Sequence, residues 1–491
     1  MSAPGALPIF HVVGFSGHRA VGDPAAVART LASILESLRR ELSGEWIALS
    51  SVADGSDQLF AREALHQGHA WQAVLPLPPA EFSRDFSTDG WGQVEALLAR
   101  AEHVRVVAES GNREDSYLDC GMETVDGSDV LVALWDGEPA RGKGGTAEVI
   151  DYARRLNKPV VIIDAGTLDL RRENFDRLPR TDAALRHLNH LPAHLGAGDN
   201  PFKAPNAIFA FQQKCDHEAS RNAPHFRRLI VGTVLLHVLA TLVAAASLAY
   251  SLHWLVLPWL KLLCLIGAGA VAIVLRRHQT HHGWVQGRLA AEFCRSALAT
   301  WGLPRTAPLF EDLEVAAVRG LTRSLHILHL RDTAKSPVSM DEFRRTYLEK
   351  RIEDQLGYYR RQERRSLPLF SRLKFGFWIS TFIALVSTLA YAVCRTMEAP
   401  VPHPIVEAVF YFAPIGMPVA AAAFISLISI NDLQRRVARY REMQHILTES
   451  QSRLHYCRTW NSLQRVVLRT EHALLQEVLE WHSLTTFTES H

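Results

Sequence analysis

The chain has 491 residues, with 53 Lys and Arg against 51 Asp and Glu, and a mean hydropathy near zero. Such a length asks for two to four units rather than one domain, and the bland averages conceal a soluble-looking stretch, 1–200, beside two stretches, 229–275 and 375–430, that are nearly free of charge. Its six cysteines (Cys120, Cys215, Cys264, Cys294, Cys394, Cys457) form no CxxC pair and no zinc-ligand spacing, which excludes a disulfide framework and points to a reducing compartment.

The first residues lack a basic start followed by a long apolar run, so the N-terminal domain is expected to stay in the cytosol. From residue 8 to 170, short apolar runs alternate with helical patterns. Strands are predicted at 9–15, 46–51, 71–77, 104–107, 130–135 and, as the last one, 160–164. Helices are predicted at 24–42, 57–67, 91–101, 117–126 and 146–156. This alternation predicts a Rossmann-like α/β fold, a parallel sheet covered by helices on both faces. Ligands of such sheets bind at the carboxyl ends of the strands.

The loops at those ends are the candidate site. The first strand runs into Gly14, Ser16, Gly17 and Arg19, which offer bare backbone, a hydroxyl and a cation. Gly55 and Asp57 follow the second strand and open a helix, and Asp136 ends the fifth. Gly144, Gly145 and Thr146 then lead into the last helix of the domain. Exposed amides at a helix N-terminus favour an anion, so a phosphorylated ligand is expected there. One glycine-rich loop would mean little, because turns favour glycine anyway; several at one sheet edge point to nucleotide binding. The boundaries read as 1–200 for this domain, 201–228 for a linker, 229–275 and 375–430 for two transmembrane hairpins, 276–374 for a cytosolic helical region, and 431–491 for a C-terminal cytosolic helix.

Four stretches reach spanning length: 229–250, 254–275, 375–393 and 408–430. A hydrocarbon core of roughly 30 Å needs about 20 apolar residues in a helix. Tyrosine apart, the ionisable groups within them are His237 and Lys261. Core helices of a soluble protein are the alternative, but these rarely run so long without a polar face. Arg221, Arg227 and Arg228 precede the first span, and Arg276, Arg277 and Arg288 follow the second. Arg360, Arg361, Arg364, Arg365, Arg372 and Lys374 precede the third, and Arg435, Arg436, Arg439 and Arg441 follow the fourth. The turns between paired spans hold only Arg395. The excess of cations on one side predicts both termini and the middle segment in the cytosol of a multi-pass protein.

Trp254, Trp259 and Trp378 stand near span ends as interfacial anchors, and Pro414 and Pro418 should kink the fourth span. Helices are expected after each hairpin, at 284–298 and, as one long amphipathic helix, at 431–487. A stripe that long needs a partner, either in the same chain or in a second copy. The tract of His278, His281 and His282 reads as a solvated polar stretch rather than a metal site, and the arginines serve topology rather than nucleic acid.

The order of Ser16-Gly-His-Arg19, Asp54-Gly-Ser-Asp57, the run from Ser128 to Gly137, and Gly144-Gly-Thr146 resembles the SLOG superfamily over about the first 170 residues. The two-span architecture, with Trp284, Arg288, Ala291, Glu292 and Arg295, is similar to SLATT effectors, here with two hairpins. The resemblance implies a nucleotide sensor coupled to a membrane effector of bacterial anti-phage defence, in the inner membrane and without a covalent cofactor. A nucleotide second messenger would bind Gly14, Ser16, Gly17, Arg19, Gly55, Asp57, Asp136, Gly144, Gly145 and Thr146, and the spans of a homo-oligomer would then open or assemble a pore. Glu148 is the catalytic candidate under the alternative of a membrane-tethered nucleotide hydrolase or phosphoribohydrolase. It falls two residues after Thr146, where LOG enzymes use three, and no proline opens the loop. The third reading is a regulated channel or transporter, disfavoured by the few spans and the absence of an acidic relay within them.

Overall fold

The structure, a computed structural model, describes residues 5–107, 112–140, 142–192, 199–277, 280–303, 316–333, 338–397 and 401–487. It divides into two compact units, one of residues 1–190 with 310–337 and one of residues 191–309 with 338–491. The chain therefore passes between units three times.

The first unit is built on a seven-stranded sheet: β1 Phe10–Gly17, β2 Glu45–Ser50, β3 Ala70–Leu75, β4 His103–Val106, β5 Val130–Trp135, β6 Val160–Asp164 and β7 Leu170–Glu173. Their spatial order is β4-β3-β2-β1-β5-β6-β7. The first six strands are parallel, and β7 is antiparallel to β6. The predicted strands up to β6 are present, but β6 is not the last. Leu-Arg-Arg-Glu of β7 is largely exposed and lacks an apolar alternation, since an edge strand open to water carries charge. By contrast Val-Leu-Val-Ala-Leu of β5 is buried throughout, as a central parallel strand covered on both faces must be.

Helices α1 Pro24–Glu41, α2 Ser56–His66, α3 Pro79–Phe82, α4 Thr88–Leu98, α5 Arg113–Gly127 and α6 Thr146–Arg155 pack around the sheet, and α7 Ala183–Asn189 follows β7. Asp23 starts α1 by accepting from the Ala25 and Ala26 amides, with Pro24 in the first turn. Val27, Leu31, Ile34, Leu35 and Leu38 of α1 then face the sheet, each contributing roughly 1.5–3 kcal/mol by burial. They share one core with Phe15, Trp71 and Val132, while Val149, Ile150 and Ala153 of α6 form another with Leu131 and Ile162.

Helix α11 (Arg319–Thr333) comes from sequence between the two hairpins, yet it belongs to this unit. Ile327 packs with Phe10 and Ile47, and the Ser324 hydroxyl donates to the Pro8 carbonyl. Arg323 pairs with buried Asp129, whose Oδ2 also accepts the Val12 amide at 2.9 Å. Arg331 bonds Glu45 and Glu102 and lies 4.8 Å from the Phe10 ring centroid.

The second unit is helical. α8 (Asn206–Ala249) and α9 (Val256–Arg277) form one hairpin, followed by α10 (Thr280–Thr300). α12 (Met340–Tyr347) continues through a π-helical turn, Leu348–Glu353, into α13 (Asp354–Thr396). α14 (His403–Ile405) and a second π-helical turn, Val406–Phe412, lead into α15 (Ala413–Ile430), then α16 (Leu433–Tyr456) and α17 (Trp460–Phe487). α8 begins at Asn206, so most of the stretch read as a linker is helical.

Four of these helices are long and apolar enough to cross a membrane. α8 packs on α9, α13 on α15, and α15 also on α8. Trp254, Trp259 and Trp378 are 68, 71 and 61% exposed, as anchors at a membrane surface would be. Pro414 follows the π-helical turn with which α15 is continuous, and Pro418 lies within the helix. The single long C-terminal helix expected from the stripe is instead two. Cys457 is extended, and Thr459 restarts the helix by accepting the Ser462 amide at 3.2 Å. A cap of this kind overrides an apolar period that continues across the break.

Candidate functional site

Strand order reverses between β1 and β5, so the loops that leave these two strands diverge and open a crevice at their carboxyl ends. Predicted residues approach it from three directions, whereas Gly14 and Ser16 lie within β1 itself, paired with Leu131 and Ala133 of β5. After β1, the Gly17 amide donates to Asp57 Oδ1 at 3.2 Å, and the Ser56 hydroxyl donates to the His18 carbonyl at 2.8 Å. These bonds lock the loop after β1 to the start of α2. Gly55 makes that contact possible: its φ is +93°, and a Cβ there would lie 2.0 Å from the Arg19 carbonyl oxygen. A Cβ on Gly17 would lie 2.3 Å from Ser56 Oγ, and one on Gly14 would lie 2.8 Å from Ser128 Cβ. These glycines allow the chain's own segments to close on one another.

Asp57 is 6% exposed. Burial pushes its carboxyl up to about 7, against the pull of the Gly17 amide, Arg19 and the Ala53 amide. A buried carboxyl near neutrality thus stands beside the end of β1.

From the other side, the end of β5 supplies Asp136. His18 Nε2 lies 3.0 Å from the Asp136 amide, from which it accepts, and 3.1 Å from Asp136 Oδ1. Asp136 Oδ1 also accepts the Glu138 amide at 3.0 Å, which turns the chain after the strand. His18 was part of the quoted motif but was not singled out. It ties the two loops of the crevice together, a role that only strand order reveals.

The third wall is the start of α6 with the start of α5. Gly144 has φ +76°, and a Cβ there would come within 2.6 Å of the Leu118 amide nitrogen. Its own amide donates to Glu148 Oε2 at 2.7 Å. Gly145 caps α6 without a side-chain bond, and Thr146 is buried in the first turn. Glu148 shapes the loop that precedes its own helix, as the third residue of a capping arrangement does. Tyr117 of α5, read only as a helical residue, stacks under Arg19, whose guanidinium carbon lies 5.7 Å from the ring centroid. Tyr117 and Arg113 both bond Asp85, and Lys143 pairs with Asp115 at 3.0 Å. Gly17 with Asp57, His18 with Asp136, and Arg19 with Tyr117 thus link the ends of β1 and β5 to the start of α5, against which Gly144 packs.

In the second unit, the α10 residues named above face α8 and α17. Trp284 meets Trp481 edge-on at 5.0 Å, Arg288 lies 4.5 Å from the Trp481 ring centroid, and Arg295 pairs with Glu292 and with Asp216. Burial opposes the charge of Glu292, yet Arg295, Arg351 and Arg288 hold it below the usual carboxylate range. Buried Arg351, Glu471 and Tyr347 carried no pattern that sequence reasoning could detect, because they meet from separate segments. The side chains of the tract His278, His281 and His282 lie outside the described residues.

Residues 210–351 match the family model SLATT_3, described as SMODS and SLOG-associating 2TM effector domain 3. The match starts within α8, takes in the α8–α9 hairpin and α10, and ends in the π-helical turn before α13. The second hairpin, α13 with α15, lies beyond it. No curated protein matches the chain. The chain is accordingly a membrane protein with four candidate spans, and its residues 210–351 are similar to a two-span effector domain.

Proposed function

We propose that this protein is a nucleotide-sensing membrane effector of bacterial anti-phage defence, in which a phosphorylated second messenger bound in the β1/β5 crevice drives pore formation by the spans. One observation carries the reading: a switch-point crevice with an amide-rich helix start and Arg19 sits on the same chain as an effector-like hairpin. The SLOG-like motif order supports the sensor half, and the words describing the matched family support the effector half. The spans belong in the bacterial inner membrane with both termini cytosolic, as the arginine distribution supports.

The covalent path supports coupling. α11 is held on the sheet unit by Arg323, Ser324 and Arg331, and its sequence lies between the two hairpins. A ligand that prefers one arrangement of the sheet unit would shift the population of the membrane part by that difference in affinity. The test is full-length protein in liposomes loaded with a fluorescent dye and exposed to a panel of nucleoside phosphates and cyclic oligonucleotides. Nucleotide-dependent leakage, abolished in Arg19→Ala, is the expected result; leakage indifferent to every nucleotide and to Arg19 sinks the proposal.

The hydrolase alternative draws on Glu148. Its Oε2 is engaged by the Gly144 amide, which supports a role in loop shape. Base or phosphate release by the wild type, lost in Glu148→Gln, would reverse that preference.

A further inference from the structure

Between residues 355 and 374, on the part of α13 that leads into its apolar stretch, six cations stand against one acid. The acid, Glu363, is already engaged, accepting from Arg441 at 2.7 Å and from Gln444 at 2.9 Å. Leu356 and Tyr359 are buried on that side of the helix. Arg360, Arg361, Arg364, Arg365 and Arg372 are exposed instead, and among the described residues none of their side chains has a hydrogen bond or an ion pair.

At about 100° per residue these five arginines fall on one arc of roughly 140°, with Lys374 just outside it. On the same count Phe375, Trp378, Ile379, Phe382 and Val386, further along α13, fall on that arc too, and each is exposed. The arginine face is thus continuous with the face that the span turns to lipid. The rule that gathers cations at one end of a span asks for their number, not for their confinement to one side of the helix.

We infer that this face of α13 docks on the phosphate groups of anionic phospholipids in the leaflet where the span begins. A guanidinium presents a planar fork that fits two phosphate oxygens, and cations just outside a span are drawn to a negative leaflet. Continuity selects lipid as the occupant, because α13 runs unbroken from the arginines into the exposed apolar face. At about 1.5 Å per residue, Arg372 stands roughly 5 Å from Phe375, within the headgroup layer. Arg364 and Arg365 stand roughly 15–17 Å away, where their long stems reach the outer edge of that layer. Arg360 and Arg361, at roughly 21–23 Å, feel a field already weakened by salt. The inference rests on the membrane reading of the spans.

The experiment uses the full-length protein in lipid nanodiscs of phosphatidylcholine alone, or of equal parts phosphatidylcholine and phosphatidylglycerol. Arginines are modified with phenylglyoxal, and the rate at each site is read by peptide mass spectrometry. The mixed discs are expected to slow modification of Arg372 about fivefold or more, of Arg364 and Arg365 less, and of Arg360 and Arg361 least. Exposed Arg465 and Arg469 of α17 should change by less than about twofold. Inorganic phosphate added to the phosphatidylcholine discs should protect none of the five. Equal rates in the two kinds of disc, or equal protection by inorganic phosphate, overturn the inference alone. So does protection that appears in phosphatidylcholine discs and grows with protein concentration, since a protein then covers the face. A chain that elutes apart from the discs overturns it together with the membrane reading.

Discussion

Arg351 grips Glu471 through two hydrogen bonds of 2.8 and 2.6 Å, with the two side chains only 2% and 0% exposed. Tyr347 donates a third bond to the same carboxylate at 2.8 Å. Arg351 sits in the π-helical turn before α13 and Glu471 lies in α17, so the pair fixes the approach to the second hairpin against the C-terminal helix.

Breaking that pair from one side leaves a buried, uncompensated charge. Arg351→Ala or Glu471→Ala should each cost roughly 3–5 kcal/mol, read as a lower unfolding midpoint in detergent. Arg351→Met combined with Glu471→Leu should cost less than either single change, because it removes both charges together. A double variant as weak as the sum of the singles would refute this account of the pair.

Asp57 gives a pH dependence of definite sign. Its carboxyl titrates near 3.8 when unfolded and at about 7 in the fold, so the native state binds the extra proton between those values. Stability therefore falls as pH rises from about 4 to 7, by up to roughly 4 kcal/mol. Asp57→Asn should flatten that slope while keeping an acceptor for the Gly17 amide. Hydrogen exchange of the Gly17 amide across the window reports it.

The docking of α11 has the opposite pH dependence. Burial disfavours charge on Asp129, but Arg323, His11 and the Val12 amide hold it well below the usual carboxylate range. That contribution is present above the unfolded carboxyl range and is lost as pH falls below it. Arg323→Ala should free α11 at neutral pH, seen as faster amide exchange over residues 319–333 with β5 still protected. Unchanged exchange there would mean that Ile327 and Arg331 suffice.

Two glycines at the crevice are irreplaceable for reasons internal to the fold. Gly55→Ala and Gly144→Ala combine positive φ with backbone contacts under 3 Å, and each should cost more than about 2 kcal/mol. Gly22→Ala, with nothing within 4 Å, should change stability by less than about 0.5 kcal/mol. Thermal melts of the three variants decide it.

The sequence alone determined what solvent dictates. Lipid demands long uncharged helices, so the four spans were legible, and double-sided burial demands runs such as Val130–Trp135, so the central strands were legible too. The loops of the crevice could be named because glycine, aspartate and threonine mark strand-to-helix turns. Only the tertiary structure decided which of them meet. His18 reaches Asp136 because β1 and β5 are neighbours, and Tyr117 underlies Arg19 because α5 starts beside that loop. β7 escaped notice because an edge strand needs no apolar face, and the break at Cys457 escaped because one cap outweighs a continuing stripe. α11 falls in the stretch 276–374 that reads as a cytosolic helical region between the hairpins, yet it docks on the sheet through Asp129, Glu45 and Glu102. Contacts between residues hundreds of positions apart leave no local pattern, and the energy that selects them exists only once both segments are in place.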